Sequence, residues 1–275
     1  MNFLGAVAVV TGAGGGIGSA LGERFHDAGA TVVLSDRAGT PVDAVADRLN
    51  KRRPHSAHVV IADVSREDEN ARLVNEARSL AGHIDLFFAN AGVALGTDLS
   101  ATESDWATSF DVNVHAHRWA AKYLLPEWLA AGRGYFASTA SAAGVLAQIG
   151  SAPYSVTKHA AVAFAEWLSI TYGSRGLRVS CLCPQGVNTA MLRGGDRPEQ
   201  SANTAIDANA GNVVRVAGAV LEPADVAAIV HDALVEERFF IFPHTEVADY
   251  IKIKATEHER WLGGMRKLQR RVFGV

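Results

Sequence analysis

The apolar positions of the chain fall into two alternating periods. Short runs rich in β-branched residues occupy 6–11, 31–35, 57–62, 85–89, 134–138, 177–182 and 239–242, and such runs predict strands buried on both faces. Between them apolar residues recur every three or four positions. Ile17, Leu21, Phe25 and Ala28 share one face of a helix over 17–28, and Val226, Ile229, Val230, Ala233 and Leu234 repeat the spacing. Strand, helix, strand in this order predicts an α/β fold, a doubly wound parallel sheet of about seven strands with helices on both faces. Parallel neighbours need crossover connections, and these are right-handed.

Two regions break the pattern. Residues 193–212 contain Gly194, Gly195 and Pro198 and little periodicity, and loops of that length in a compact domain are usually functional; a substrate lid is expected over 190–212. Residues 243–275 form a helical tail, with Trp261, Met265, Leu268 and Val272 at helical spacing and Arg260, Arg266, Lys267, Arg270 and Arg271 around them. Its apolar stripe needs a partner, either its own domain near the substrate mouth or a neighbouring subunit.

Composition narrows the classes of function. The chain has 275 residues, 48% hydrophobic and 20% charged, with a net charge of −3, which suits one globular domain over 1–275 and offers no positive surplus for nucleic acid. Residues 2–22 and 134–157 carry no Asp, Glu, Lys or Arg, but the first holds seven glycines and the second is rich in Ser and Thr. Neither suits a membrane helix, so each is expected to pack inside the protein or against a ligand. Cys181 and Cys183 stand too close along one strand to bridge, and the N-terminus lacks the layout of a signal peptide. A reduced, cytoplasmic protein is expected. No metal site is expected either: His115 and His117 lack further ligands, and the His258-Glu259 pair has Leu262 where a zinc helix needs its second histidine.

The chemistry begins after the first strand, which runs into Thr11-Gly12-Ala13-Gly14-Gly15-Gly16-Ile17-Gly18 and then a helix. Glycines there permit a tight turn, close approach of backbone to a pyrophosphate and tight helix–sheet packing, with the phosphates at a helix start. The fold is therefore read as Rossmann-type. Eighteen residues beyond Gly18 the second strand ends in Asp36-Arg37; Asp36 can accept from a ribose diol and repels a 2′-phosphate. NAD is thus favoured over NADP, with Arg37 the counterargument because an arginine can hold a phosphate. Asp63 and Val64 follow the third strand, where a carboxylate reaches the adenine or caps a helix.

These residues resemble the short-chain dehydrogenase/reductase family over nearly the whole chain. The 11–18 loop is similar to its TGxxxGxG element, Asn90-Ala91-Gly92 to its NAG element, and Tyr154-Ser-Val-Thr-Lys158 to its YxxxK signature. The resemblance implies that Asn113 and Ser141 complete a catalytic tetrad with Tyr154 and Lys158, Asn113 holding a water that links Lys158 to solvent. Ser138 competes with Ser141, which is preferred because Ala142-Ala143-Gly144 follows it. Pro184-Gln185-Gly186-Val187-Asn188-Thr189 resembles the PGxxxT element, implying that Pro184, Gly186, Val187 and Thr189 meet the nicotinamide; Gln185 stands where that family usually has glycine. A homotetramer is implied, with a dimer second.

The residues carry the same argument on their own. A carbinol must lose its hydroxyl proton as hydride leaves, and tyrosine, with a pKa near 10, needs about 3–4 kcal/mol of help to act as base at neutral pH. A cation about 4 Å away contributes about 4 kcal/mol at an effective dielectric of 20, and Lys158 lies on the same helix face as Tyr154. The expected substrate-facing set is Ala94, Val145, Leu146, Gln148, Gln185, Val187, Met191 and Leu192, mostly apolar. It predicts NAD-linked interconversion of a hydrophobic secondary alcohol and its ketone. The alternatives are a non-catalytic dinucleotide-sensing regulator and an NADP-linked ketone or acyl-thioester reductase; Arg193 and Arg197 are the only basic residues in the lid loop to dock a carrier protein.

Overall fold

The computed structural model describes residues 1–193 and 218–274. Seven strands form one parallel sheet in the order β3-β2-β1-β4-β5-β6-β7. They are β1 (Val7–Thr11), β2 (Thr31–Asp36), β3 (Ala57–Ile61), β4 (Leu86–Ala89), β5 (Gly134–Thr139), β6 (Leu177–Leu182) and β7 (Phe240–Ile241). The helices are α1 (Gly16–Asp27), α2 (Val42–Arg52), α3 (Glu67–Ala81), α4 (Glu103–Phe110), α5 (Ala116–Ala131), α6 (Ala152–Tyr172), α7 (Pro223–Val235), α8 (Glu246–Thr256) and α9 (His258–Phe273). Most of the expected lid, 194–212, lies outside the described residues; its first part ends in a 3-10 turn, Met191–Arg193.

The pleat divides the core in two. Val9, Val33, Val60, Phe87, Phe136 and Cys181 point to the layer of α3, α5 and α6, where they meet Leu73, Leu124 and Leu168. Ala8, Val10, Val32, Leu34, Leu86 and Ala137 point the other way, against Leu21 and Phe25 of α1, Leu49 of α2 and Val230 of α7. Both faces are covered, which is why the strands read as continuous apolar runs rather than alternating ones. Cys181 and Cys183 are fully buried free thiols with sulfurs 3.9 Å apart.

Three local features position the site. Order reverses between β1 and β4, so a crevice opens at the carboxyl ends of those strands. Between α4 and α5 the chain takes one π-helical turn, Asp111–His115, an irregularity that recurs at functional sites. Pro153 falls in the first turn of α6, where its missing N–H costs nothing.

Candidate active site

A cavity of about 1540 Å³ opens at that crevice. The glycine loop forms its floor at one end. Gly12 has φ +65°, in the left-handed region, and a Cβ on Gly18 would collide with the Gly12 carbonyl and come within 2.6 Å of the Asn90 amide nitrogen. Gly15 precedes α1 and no side chain caps its first turn, so the open N–H groups of Gly16 and Ile17 meet the cavity. Asp36 closes this end: Gly14 N–H donates to its Oδ2 at 2.8 Å and Arg37 N–H to its Oδ1 at 2.8 Å.

A chain of hydrogen bonds runs from the loop to the lysine. The N–H groups of Asn90 and Ala91 donate to Thr11 Oγ1 at 3.0 and 3.1 Å, and Asn90 Nδ2 donates to the Thr11 carbonyl at 3.0 Å. Thr139 Oγ1 donates to Asn90 Oδ1 at 2.9 Å, and Lys158 Nζ to the Thr139 carbonyl at 2.9 Å. Thr11, the first residue of the glycine-loop motif, and Thr139 are thus part of the site, and sequence reasoning missed Thr139. The sequence signal for Thr139 is a threonine at the carboxyl end of a strand.

Tyr154 and Lys158 project from the first turns of α6, with Nζ 5.6 Å from the centre of the phenol ring. Lys158 is 2% exposed, and burial drops its pKa to about 8. Tyr154 corrects the expectation drawn from charge alone: burial pushes its phenol above 10, and the Ser141 hydroxyl opposes that. Desolvation, invisible in a count of charges, is the largest cause of that rise in the protein alone. Ser141 faces the cavity, accepts from Ala143 N–H at 3.1 Å and donates to the Pro184 carbonyl at 3.4 Å. Ser138, its competitor, is fully buried and does not line the cavity.

Asn113 is placed by the π-helical turn. It is fully buried behind the cavity wall: Val93 N–H donates to its Oδ1 at 2.9 Å, and its Nδ2 donates to the Val93 carbonyl and Thr157 Oγ1, both at 3.0 Å. Its amide fastens the loop after β4 to α6. Asp63 lines the cavity, but its Oδ1 accepts from the N–H and hydroxyl of Ser65 at 3.0 and 2.7 Å, closing the turn before α3.

Of the other residues expected at the cofactor, Val64, Asn90, Ala91, Gly92, Pro184, Val187 and Thr189 line the cavity, whereas Gly18 and Gly186 sit outside its wall. Thr189 stands over the glycine loop, its methyl 3.0 Å from where a Gly16 Cβ would be. Leu146, Gln148, Gln185 and Met191 all reach the opposite end, as do Ala94 and Leu192. Val145 does not; it packs on the core beneath α6. Gln185 Oε1 is buried with no hydrogen-bond partner among the described residues, and Gln185 N–H donates to His244 Nδ1 at 3.2 Å.

The tail supplies the remaining wall. Tyr250 and Ile253 of α8 and Trp261, Met265 and Leu268 of α9 face the cavity. Lys254 Nζ pins α8 by donating to the carbonyls of Val145 and Leu146 at 2.9 and 2.8 Å, and it lies 5.2 Å from the centre of the Trp261 ring. Lys254 was not legible as a site residue. Among the described residues no group of three His, Cys, Asp or Glu gathers, and His117 is buried in apolar surroundings, its pKa dropped to about 3.

A family profile described as short chain dehydrogenase matches residues 6–200, and the chain belongs to that family. A 1-deoxy-11-beta-hydroxypentalenate dehydrogenase of Streptomyces avermitilis is 36% identical over 253 residues, covering 90% of this chain and 87% of that protein. A meso-2,3-butanediol dehydrogenase of Serratia marcescens is 35% identical over 195 residues, 70% of this chain and 76% of that one. Among solved structures, a short chain dehydrogenase/reductase from Burkholderia phymatum in complex with NAD superposes with a TM-score of 0.85 at 30% identity, covering 94% of this chain and 96% of that one. The protein is therefore an oxidoreductase of this family, whose dehydrogenases act on alcohols or ketones with NAD or NADP.

Proposed function

We propose that the chain transfers hydride between a hydrophobic secondary alcohol, or its ketone, and NAD. The observation that carries this reading is the meeting of Tyr154, Ser141 and Lys158 with the glycine loop on one cavity whose far end is apolar. The residues fit a dinucleotide: the loop has room for phosphate where any larger residue at Gly18 would collide, α1 offers open N–H groups, and Asp36 presents a carboxylate where a ribose would lie. A bound nicotinamide supplies the hydride acceptor for oxidation and the donor for reduction.

The chain's own residues manage the proton. In oxidation Tyr154 Oη takes the hydroxyl proton while the C–H pair leaves as hydride, giving ketone, reduced cofactor and one proton. Ser141 orients the carbinol oxygen. The Lys158 ammonium favours the phenolate once it forms, and Thr139 and Asn90 hold that ammonium in register with the loop. Asn113 positions the wall from behind, through Val93 and Thr157.

NAD rather than NADP is supported by Asp36, which a 2′-phosphate would have to approach. Exposed Val156, Trp167 and Ile170 on α6 support packing between subunits, in a homotetramer or a dimer, which light scattering distinguishes. The buried free thiols fit a reducing, cytoplasmic setting, and among the described residues no helix is long and apolar enough to cross a membrane. The test of the reading is Tyr154→Phe: turnover of a secondary alcohol with NAD should fall roughly 10²–10⁴-fold, as for loss of a general acid–base, with NADH affinity kept. Unchanged turnover defeats the proposal.

A further inference from the structure

The cavity is electrostatically lopsided. Its carboxylates, Asp36 and Asp63, both stand at the adenosine end, on the strand ends of β2 and β3. Around Tyr154 and Ser141 the wall is apolar, from Leu146, Met191, Ile253, Trp261, Met265 and Leu268, and apart from the buried Lys158 beneath Tyr154 its charges are Arg193, Arg260 and Arg271. Among the described residues no carboxylate lines that half. Arg260 is paired with Glu257 at 2.8 Å and Arg193 donates to Asn188 Oδ1. Arg271 has no acidic or hydrogen-bonding partner among the described residues.

The helix selects which cations turn inward. Arg260, Arg266, Lys267, Arg270 and Arg271 all lie on α9, yet only Arg260 and Arg271 reach the cavity. Eleven residues apart at about 100° each, these two point within about 20° of one another, with Trp261, Met265 and Leu268 between them. The Arg271 side chain is exposed where it lines the cavity, and the chain on either side of it is anchored. Phe273, two residues on, packs its ring against Gly150, 2.8 Å from where a Cβ there would stand, and Lys254 anchors the preceding helix.

Resting on the dehydrogenase reading above, we propose that the physiological substrate is an amphipathic secondary alcohol or ketone bearing a carboxylate remote from the carbinol, which Arg271 receives at the tail side of the cavity. A guanidinium pairs a carboxylate through two parallel N–H bonds, and the apolar floor between Tyr154 and the arginine takes the hydrocarbon body. The glycine loop already accounts for the cofactor's phosphates, so Arg271 is left to the substrate.

The experiment uses the full chain and hydroxyoctadecanoates with the hydroxyl moved from carbon 3 to carbon 12, each beside its methyl ester. At one or more positions the acid should exceed its ester in kcat/KM by roughly 10-fold or more, the range of a hydrogen-bonded ion pair. Arg271→Gln should remove that preference through KM and leave the esters and the NADH affinity unchanged. Equal rates for acid and ester at every position overturn the proposal, as does an equal loss for both in Arg271→Gln, or a loss of NADH affinity, which would assign the arginine to the cofactor. Should no alcohol of the panel turn over, the dehydrogenase reading fails by itself. Calorimetric binding of acid and ester to the NADH-saturated protein then decides the anion site: roughly 10-fold tighter acid, lost in Arg271→Gln, supports it, and no preference refutes it.

Discussion

Lys158→Met separates what the buried lysine does for catalysis from what it costs the fold. Lys158 is 2% exposed and its pKa is lowered to about 8 from 10.5. At about 1.36 kcal/mol per pH unit, holding that ammonium in the folded chain at pH 7 costs about 3 kcal/mol relative to the unfolded chain. Methionine has similar length and no charge. It gives up the bond to the Thr139 carbonyl, which costs about 1 kcal/mol. The variant should therefore be more stable than the native protein at pH 7 by about 2 kcal/mol, or about 3–4 °C for a chain of this size, while turnover collapses.

The pH dependence is the sharper part. A folded pKa below the unfolded one means that the unfolded chain binds more protons between pH 8 and 10.5, so native stability rises relative to Lys158→Met through that window. About 2 of the 3 kcal/mol should return by pH 9.5. Urea unfolding of both proteins without cofactor, at pH 7 and pH 9.5, reads the difference directly, since other titrating groups are shared. If the variant is less stable at pH 7, or the gap is the same at both pH values, the lysine is not a strained buried cation.

Three further outcomes follow from single contacts. Asp36→Ala should weaken discrimination against NADP, measured as the ratio of kcat/KM with NAD to that with NADP; an unchanged ratio counts against Asp36 as the selector. Gly18→Ala drives a methyl into the Gly12 carbonyl and the Asn90 amide, so NADH affinity by fluorescence titration should fall at least about 10-fold, by analogy with core overpacking of about 1–3 kcal/mol. Lys254→Met removes the two bonds to Val145 and Leu146; KM for hydrophobic alcohols should rise several-fold with NADH affinity unchanged, and a change in NADH affinity would show that the tail supports the whole cavity.

What the sequence discloses here is what is local. The strands are legible because both faces are covered, which makes their runs continuous. Tyr154 and Lys158 are legible because four residues on one helix fix a shared face, and the glycine loop because its steric demands act within eight positions. The roles that escape are set by distant chain. Nothing near Asn113 shows that its amide will be consumed by Val93, twenty residues earlier, or by Thr157 on another helix. The spacing of Trp261, Met265 and Leu268 shows that α9 has a face to bury, but the cavity it faces is assembled from β4, β5 and β6 as well. Asp63 illustrates the competition at short range: a carboxylate beside a serine two residues on can satisfy a turn before it serves a ligand.

On the mechanism proposed above, the raised pKa of Tyr154 sets a condition on how the pair would work. Burial disfavours both charges, so in the protein alone the phenol is pushed up and the ammonium down. Their attraction exists only when both are ionised, and at the 5.6 Å between Nζ and the ring centre it amounts to about 3 kcal/mol at an effective dielectric of 20. That is comparable to the desolvation the lysine bears. On that proposal the ammonium would not make a standing phenolate; it would make the phenolate accessible at the moment a proton moves, and the desolvation borne by Lys158 would be offset in the ion pair that forms. A site tuned this way should lose its base with loss of the lysine charge even if tyrosine stays in place, and the Thr139 carbonyl, by holding Nζ beneath the ring, decides whether the attraction can be used.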